Sequence, residues 1–428
     1  MNQLLSLQNS IRLNCQMTGH FELLKLSDIT EERQTSVSRA AGPIKEIPYN
    51  AITFLNRALS PTSVISISSS LAKRYQTVLG ANSNNGISAQ QYYSIGSGQC
   101  GRVFAYADDP WVLKRPNSSP DPLWNDYIMH SKLRNAATKH PNIAALCAII
   151  PKVQCYISNS NKPWWDINLA KFPPDYRSPS DLLVTEYIQP LSAPIRFALI
   201  DLFCPPEMQE TQMQSPGYRD CLARIYLGAN ASGRTNRFFS LRNFKLFHDR
   251  LQRLGLDLDA LVGKMASSMA LMHFGAKIDG RDVEFVLGSK VEATEKISLE
   301  ELERMAPCTD TLHPTAIVEP GPWHYCRRRV EMFVLDFNQC RSIEMNKEGM
   351  ETAAEAFVIN DPYCPRPHHA DEGIRNLWVY FCQVYREMAV EVGGPELGRE
   401  TIDELVGWFL ESIDARVRAR KSREVGTE

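Results

Sequence analysis

Alternation of apolar and polar positions begins at Tyr92 and sets the first part of the fold. The segments YYSIGSG, GRVFAYA and PWVLKR read as short strands, separated by Gly or by an Asp-Asp-Pro turn, and so predict an antiparallel sheet. The period then changes. Leu123, Tyr127, Ile128 and Leu133 fall near one helical stripe within LWNDYIMHSKLRNAATK, which stops at His140-Pro141. DLLVTEYI returns to a strand pattern. Beyond about residue 190, three- and four-residue spacing dominates in FKLFHDRLQRLGLDLDALVGKMASSMALMHFG, GIRNLWVYFCQVYREMAVEV and TIDELVGWFLESIDARVRARK.

These patterns predict an α+β chain in which a small antiparallel sheet lobe, 89–190, precedes a larger helical lobe with insertions, 191–428. Residues 1–88 are rich in Ser, Asn and Gln and end in the polar run ANSNNGISAQQ, so they read as a partly disordered extension with one or two short helices. No internal repeat stands out, which argues against a solenoid or propeller.

Composition changes this picture little. The chain has 428 residues, 43% hydrophobic and 22% charged, enough for a sizeable core. Its formal charge of -2 gives no whole-protein attraction to nucleic acid, so an RNA-binding surface must be a local patch. The 11 cysteines form no CxxC pair and no compact disulfide framework, which suits reduced thiols. The first residues lack the basic start and apolar run of a secretory signal, and no stretch approaches a membrane span. An intracellular, cytoplasmic protein is the expectation.

Chemistry enters at Ile95–Val103, a GxGxxG pattern (Gly96, Gly98, Gly101) whose backbone amides can approach a phosphate between two strands. Lys114 follows in VLKR, at the spacing at which a protein kinase places its phosphate-holding lysine. Asp126 lies where kinases carry that lysine's helical partner, and His140-Pro141-Asn142-Ile143 and Thr185-Glu186-Tyr187 resemble the segments that follow. Leu271-Met272-His273 precedes Asp279 and Glu284, spaced like the catalytic Asp and metal-binding Asn of a kinase, and Asp336-Phe337-Asn338 resembles Asp-Phe-Gly. The ordered set implies a protein-kinase-like two-lobed fold.

The departures are chemical. Lys277-Ile278 replaces His-Arg, Glu284 replaces Asn, and the helix partner is Asp; the stretch from Leu287 to Phe333 is longer than a kinase needs. Glu284 adds negative charge near Asp279, Asp282 and Asp336, and such a cluster either holds cations or shares protons at raised pKa.

The segments AKIDGRDVEFVLG, VLDFNQC and NDPYCPRP resemble a fungal family labelled zinc-finger-like. That family includes the arginine-containing cyclodipeptide synthases. The resemblance implies condensation of arginine from arginyl-tRNA with a second aminoacyl-tRNA residue to give a diketopiperazine, with no cofactor required and no obligate protein partner. One of Asp279, Asp282 and Glu284 would take the proton of an attacking α-amine while another pairs with a guanidinium. Gly96, Gly98, Gly101, Lys114 and Asp336 would serve if nucleotide or tRNA phosphate is bound. Two alternatives are an ATP/Mg-dependent phosphotransferase and a silent kinase-like scaffold.

Other features carry less. Cys100, Ser97 and Ser289 lie near the motifs but have no recognisable base partner. Cys364-x3-His368-His369 and Cys308-x4-His313 lack paired zinc-ligand spacing, so no metal is expected. For tRNA, the richest segment is Arg234, Arg237, Arg242, Lys245, Arg250 and Arg253 interleaved with Phe238, Phe239, Phe244 and Phe247; an amphipathic helix with buried phenylalanines is the plainer reading. Arg327-Arg328-Arg329 and Arg416 through Arg423 are shorter basic runs, and Trp164-Trp165 reads as core packing.

Overall fold

A short helix, α1 (Ala51–Leu59), opens the part of the chain that the computed structural model describes, namely residues 50–60, 91–98, 100–106, 109–231, 239–293, 304 and 326–425. All of these belong to one compact unit, Asn50–Glu428. The Asn50 side chain caps α1 by accepting from the amides of Ile52 and Thr53 at 2.9 and 3.3 Å. Leu55, Ala58 and Leu59 are buried, and Asn56 Nδ2 donates to the carbonyls of Leu254 and Gly255 at 2.9 and 2.7 Å. This piece of the expected extension is therefore part of the body. Residues 1–49 and 61–88 lie outside the described residues.

The expected first sheet is present. β1 (Tyr93–Ser97), β2 (Gly101–Ala105) and β3 (Trp111–Pro116) run antiparallel, and α2 (Asp121–Lys139) and α3 (Pro141–Ala144) lead to β4 (Val153–Ile157), α4 (Lys162–Asn168) and β5 (Leu182–Glu186). The order is β1-β2-β3-β5-β4, every neighbour antiparallel. Phe104, Leu113, Leu182 and Val184 point to one face, where Trp165 and Phe172 complete the core. Each such side chain contributes roughly 1.5–3 kcal/mol by leaving water. Trp165 is core, as its sequence context suggests.

The region past residue 190 departs from the helical expectation. Among α5 (Ala193–Phe203), α6 (Pro206–Met213), α7 (His248–Arg253), α8 (Leu258–Ala270), α9 (Lys347–Ile359), α10 (Glu372–Leu397) and α11 (Arg399–Val425) lies a second, four-stranded sheet. Its strands are β6 (Ala223–Tyr226), β7 (Phe244–Phe247), β8 (Glu284–Ala293) and β9 (Cys326–Leu335), in the order β7-β6-β8-β9. β7 pairs parallel with β6, and the other pairs are antiparallel. FKLF begins no helix, because Phe244 and Leu246 are buried while Lys245 is exposed, a period of two.

The regions expected as separate lobes are joined by backbone. Ile149 bridges Phe333, with Ile149 N donating to Met332 O at 2.8 Å and Val334 N to Ile149 O at 3.0 Å. After β5, Ser289 N donates to Gln189 O at 2.7 Å and Leu191 N to Cys221 O at 2.9 Å, which ties the outgoing chain to the second sheet. The structure is thus a mixed α/β unit with two sheets. Among the described residues no helix is long and apolar enough to cross a membrane.

Candidate active site

Two neighbouring polar networks lie where β3, α2, β8 and the end of β9 meet. In the first, Lys114 Nζ donates to Asp126 Oδ2 and Asp336 Oδ1, both at 2.7 Å. Asp126, 3% exposed on the buried stripe of α2, also accepts from Phe337 N at 3.3 Å. Burial works against the Lys114 ammonium, but Asp126 and Asp336 together outweigh it and raise the pKa, so the lysine stays charged. One cation thereby ties the consecutive elements β3 and α2 to the end of β9, far away in sequence.

The glycine hairpin lies on the same sheet. Gly98 N donates to Gly101 O at 2.9 Å, closing the turn, and Asn117 Nδ2 donates to Gly98 O at 3.0 Å. Gly101 is required by packing: a Cβ there would stand 2.5 Å from Arg115 O. Gly96 and Gly98 have no such constraint, their nearest neighbours being 3.9 and 4.0 Å from an added Cβ.

The second network holds the carboxylates that sequence singled out, and it separates them. Asp279 is 0% exposed. Its Oδ1 accepts from the amides of Arg281 and Arg341 at 3.1 and 2.9 Å, and its Oδ2 from Arg341 Nε at 2.6 Å. With both oxygens occupied inside the protein, Asp279 anchors the 277–283 turn to the segment after β9 and does not present itself to a substrate.

Asp282 and Glu284 do face a common space. Asp282 is exposed, has a left-handed backbone (φ 61°), donates its amide to Asn360 Oδ1 at 2.7 Å and accepts from Gln339 Nε2 at 2.6 Å. Partial burial and the carboxylates of Asp336 and Asp361 raise its pKa. Asp336 also has a left-handed backbone, φ 67°, so two of the three residues bearing these carboxylates sit at strained positions.

Glu284, at the start of β8, meets Arg224 Nη2 through Oε1 at 2.5 Å. Burial pushes its carboxyl up to about 7; Arg224 opposes the shift, and Asp336 and Asp282 add to it. Arg224 itself is half-buried, yet Glu284 raises its pKa. The pair is favourable to the arginine and insufficient for the glutamate; since a guanidinium does not titrate in this range, the proton equilibrium resides on Glu284.

Sequence inspection missed the rest of this network. Arg224 Nη1 is 3.9 Å from Asp361 Oδ2, and the Tyr226 hydroxyl donates to the same carboxylate. Tyr363 stacks edge-on against Tyr226 at 4.8 Å, is 4% exposed, and its hydroxyl has no hydrogen-bond partner among the described residues. Burial, then Glu284, raises that phenol's pKa, which keeps it a donor. Asp361 and Tyr363 lie in NDPYCPRP, whose Pro and Asp mark a loop; Arg224 carried no signal, since ARIY is too short to show a period.

The remaining candidates separate clearly. Ser97 is exposed, Ser289 is buried with its hydroxyl donating to Pro190 O at 2.8 Å, and Cys100 lies at the hairpin tip with its thiol pKa raised by burial and Asp336. In the arginine- and phenylalanine-rich segment, Phe239 and Phe244 are buried, and Arg250 lies over Phe203 and Phe244 at 5.0 and 5.7 Å. These rings are packing, not platforms for bases. Arg234, Arg237, Phe238, Cys308 and His313 lie outside the described residues.

A family model for DUF3669, described as zinc finger protein, matches residues 332–396. No curated protein and no solved structure matches the chain. Several potential metal donors in and beside the matched segment are engaged within the protein. His368 Nε2 bonds Asp414, His369 Nδ1 accepts from Asp371 N at 3.1 Å, and Cys340 Sγ is turned to Arg281 O at 3.4 Å. Burial pushes the Cys364 thiol up to about 12. Among the described residues no three His, Cys, Asp or Glu side chains gather to hold a metal ion.

Proposed function

We propose that this chain is an aminoacyl-tRNA-dependent cyclodipeptide synthase, built on an altered protein-kinase-like two-lobed frame, that takes arginine as one of its two residues. The observation that carries the reading is the acidic cluster: Asp282, Glu284, Asp336 and Asp361 gather around Arg224 and Lys114, with Arg366 near Asp361, and Glu284 is held near neutrality. A site with surplus negative charge is suited to a substrate that arrives with cations. An arginyl ester brings two, its guanidinium and its α-ammonium.

The division of labour follows from exposure and pKa. Glu284, at about 7, is matched to an α-ammonium of pKa about 7.7–8.0, so it can accept the proton that frees the attacking amine. Its guanidinium partner is the chain's own Arg224, so the substrate guanidinium falls to the open carboxylates Asp282 and Asp361. The unpartnered Tyr363 hydroxyl supplies a donor for the oxygen that gains charge as the ester carbonyl is attacked. The tRNA ester already stores the driving force, so the protein need only position, deprotonate and stabilise.

The test is expression in a host with ordinary tRNA charging and mass spectrometry of the culture for arginine-containing diketopiperazines. Product that disappears in Glu284→Gln and Asp282→Asn supports the reading; a correctly folded wild type that releases none removes it. The contact of Lys114 with both Asp126 and Asp336 favours a second reading, an ATP-dependent phosphotransferase. Nucleotide that raises the Tm of the wild type, but not of Lys114→Ala, would favour that activity.

A further inference from the structure

The loop that completes the carboxylate cluster is gripped at its far end by a concentration of cations. Asn360 holds the cluster, donating from Nδ2 to Gly280 O at 2.9 Å and accepting from Asp282 N. A few residues on, Arg366 returns to the end of α9, donating to Val358 O and Asn360 O at 2.7 and 2.5 Å. Beyond it, His368 is seized by the last turns of α11: its carbonyl accepts from Lys421 Nζ, and its ring lies 3.2 Å from Arg418 Nε. Arg375 closes the other side, donating to His369 O and Ala370 O at 2.8 and 2.7 Å.

Arg375, Arg416, Arg418, Arg420 and Lys421 are all exposed. Arg420 also lies close enough to Arg366 to help burial hold that guanidinium down at about 10. Asp414, which pairs with His368 and Arg418, is one acid within the strip, Glu424 follows in the sequence, and Asp371 and Glu372 lie at its edge. A helix C-terminus is complemented by one or two cations; four in six residues exceed that need. In a chain of net charge -2 this is a local concentration of positive potential.

We propose that the C-terminal end of α11, together with the 366–371 segment it grips, is a docking surface for the phosphate backbone of RNA, adjoining the carboxylate cluster through loop 360–366. This rests on the reading of the substrate as aminoacyl-tRNA and names where its polyanionic part lies. The charges are complementary in two parts: an acidic cluster that repels phosphate and accepts a cationic aminoacyl group, beside a basic strip that accepts phosphate. The strip does not fit a lipid surface, because the apolar face of α11, Phe409 and Ile413, is buried in the core.

The test measures binding of bulk uncharged tRNA to the full chain against salt concentration. Two variants are compared with wild type: Arg416→Gln/Arg420→Gln, which leaves the His368 contacts in place, and the quadruple that adds Arg418→Gln and Lys421→Gln. Far-UV CD and Tm establish that each is folded. The quadruple is expected to bind more than about tenfold more weakly at physiological salt, with the slope of log K against log salt reduced by about 3. The double variant falls between.

Unchanged affinity and slope in both folded variants overturn the proposal. So does loss of binding to anionic phospholipid vesicles with tRNA binding intact. Diketopiperazine formation separates the two claims. Strip-dependent tRNA binding without product removes the catalytic reading and leaves the surface; product formed with an unaltered KM for aminoacyl-tRNA in the quadruple removes the surface and leaves the reading.

Discussion

The Lys114 and Glu284 networks are built from the same kinds of charge, and they differ in how completely those charges are matched. Lys114 is enclosed by two carboxylates at 2.7 Å, and Asp126 has a second donor in the Phe337 amide. Glu284 has one guanidinium, several carboxylate neighbours and, beside it, a buried phenol with no partner. A buried charge that is fully paired is rigid and inert, whereas one incompletely paired shifts its pKa toward neutrality and becomes available for proton transfer.

The comparison is broken most directly at Lys114. Lys114→Met leaves Asp126 buried and uncompensated, with an expected loss of about 3–5 kcal/mol in urea unfolding. Adding Asp126→Leu should restore much of this; if it restores nothing, the network is not an isolated ion pair of this kind.

Next in size is a pH effect from Glu284. Its folded pKa, about 7, lies above its ordinary 4.5, so the folded state binds the extra proton in this window. Stability from this group is fully present below 4.5 and is lost as pH rises toward about 7. The loss is at most about 3 kcal/mol. Unfolding of wild type and Glu284→Gln at several pH values checks this: the difference between them should change across the window, and a constant difference contradicts it.

Asp279→Asn keeps an acceptor for the two amides and loses the charge facing Arg341, so about 2 kcal/mol of destabilisation is expected, read from the denaturation midpoint. Tyr363→Phe is the smallest in stability, within about 0.5 kcal/mol, because the hydroxyl it removes has no partner. Under the proposed function the same variant slows diketopiperazine release while folding is unchanged. That contrast marks it as a site residue, and equal turnover would assign the hydroxyl no role.

Four of the first sheet's five strands were legible because they alternate apolar and polar positions between turn residues, while β4 was not picked out, and Lys114 and Asp126 stood at recognisable intervals. The second sheet was not. β6 and β7 are four residues each, too short to show a period against the helical segments around them, and β7 pairs parallel with residues of β6 that lie 21 positions earlier, as in Ala223 with Phe244. Asp279 and Glu284 looked alike in the sequence, as acids in one motif. Their different fates depend on Arg341 and Arg224, which come from elsewhere in the chain.

Sequence alone determined which stretches alternate, where the turns and helix stops fall, and which titratable residues cluster along the chain, since these depend on local steric and hydrophobic periodicity. Tertiary structure decided which acid is fully paired and which is left with a raised pKa. It did so because a carboxylate's pKa and accessibility are set by the dielectric and the charges within a few ångströms, and those neighbours are brought from distant segments only when the two sheets and helices pack.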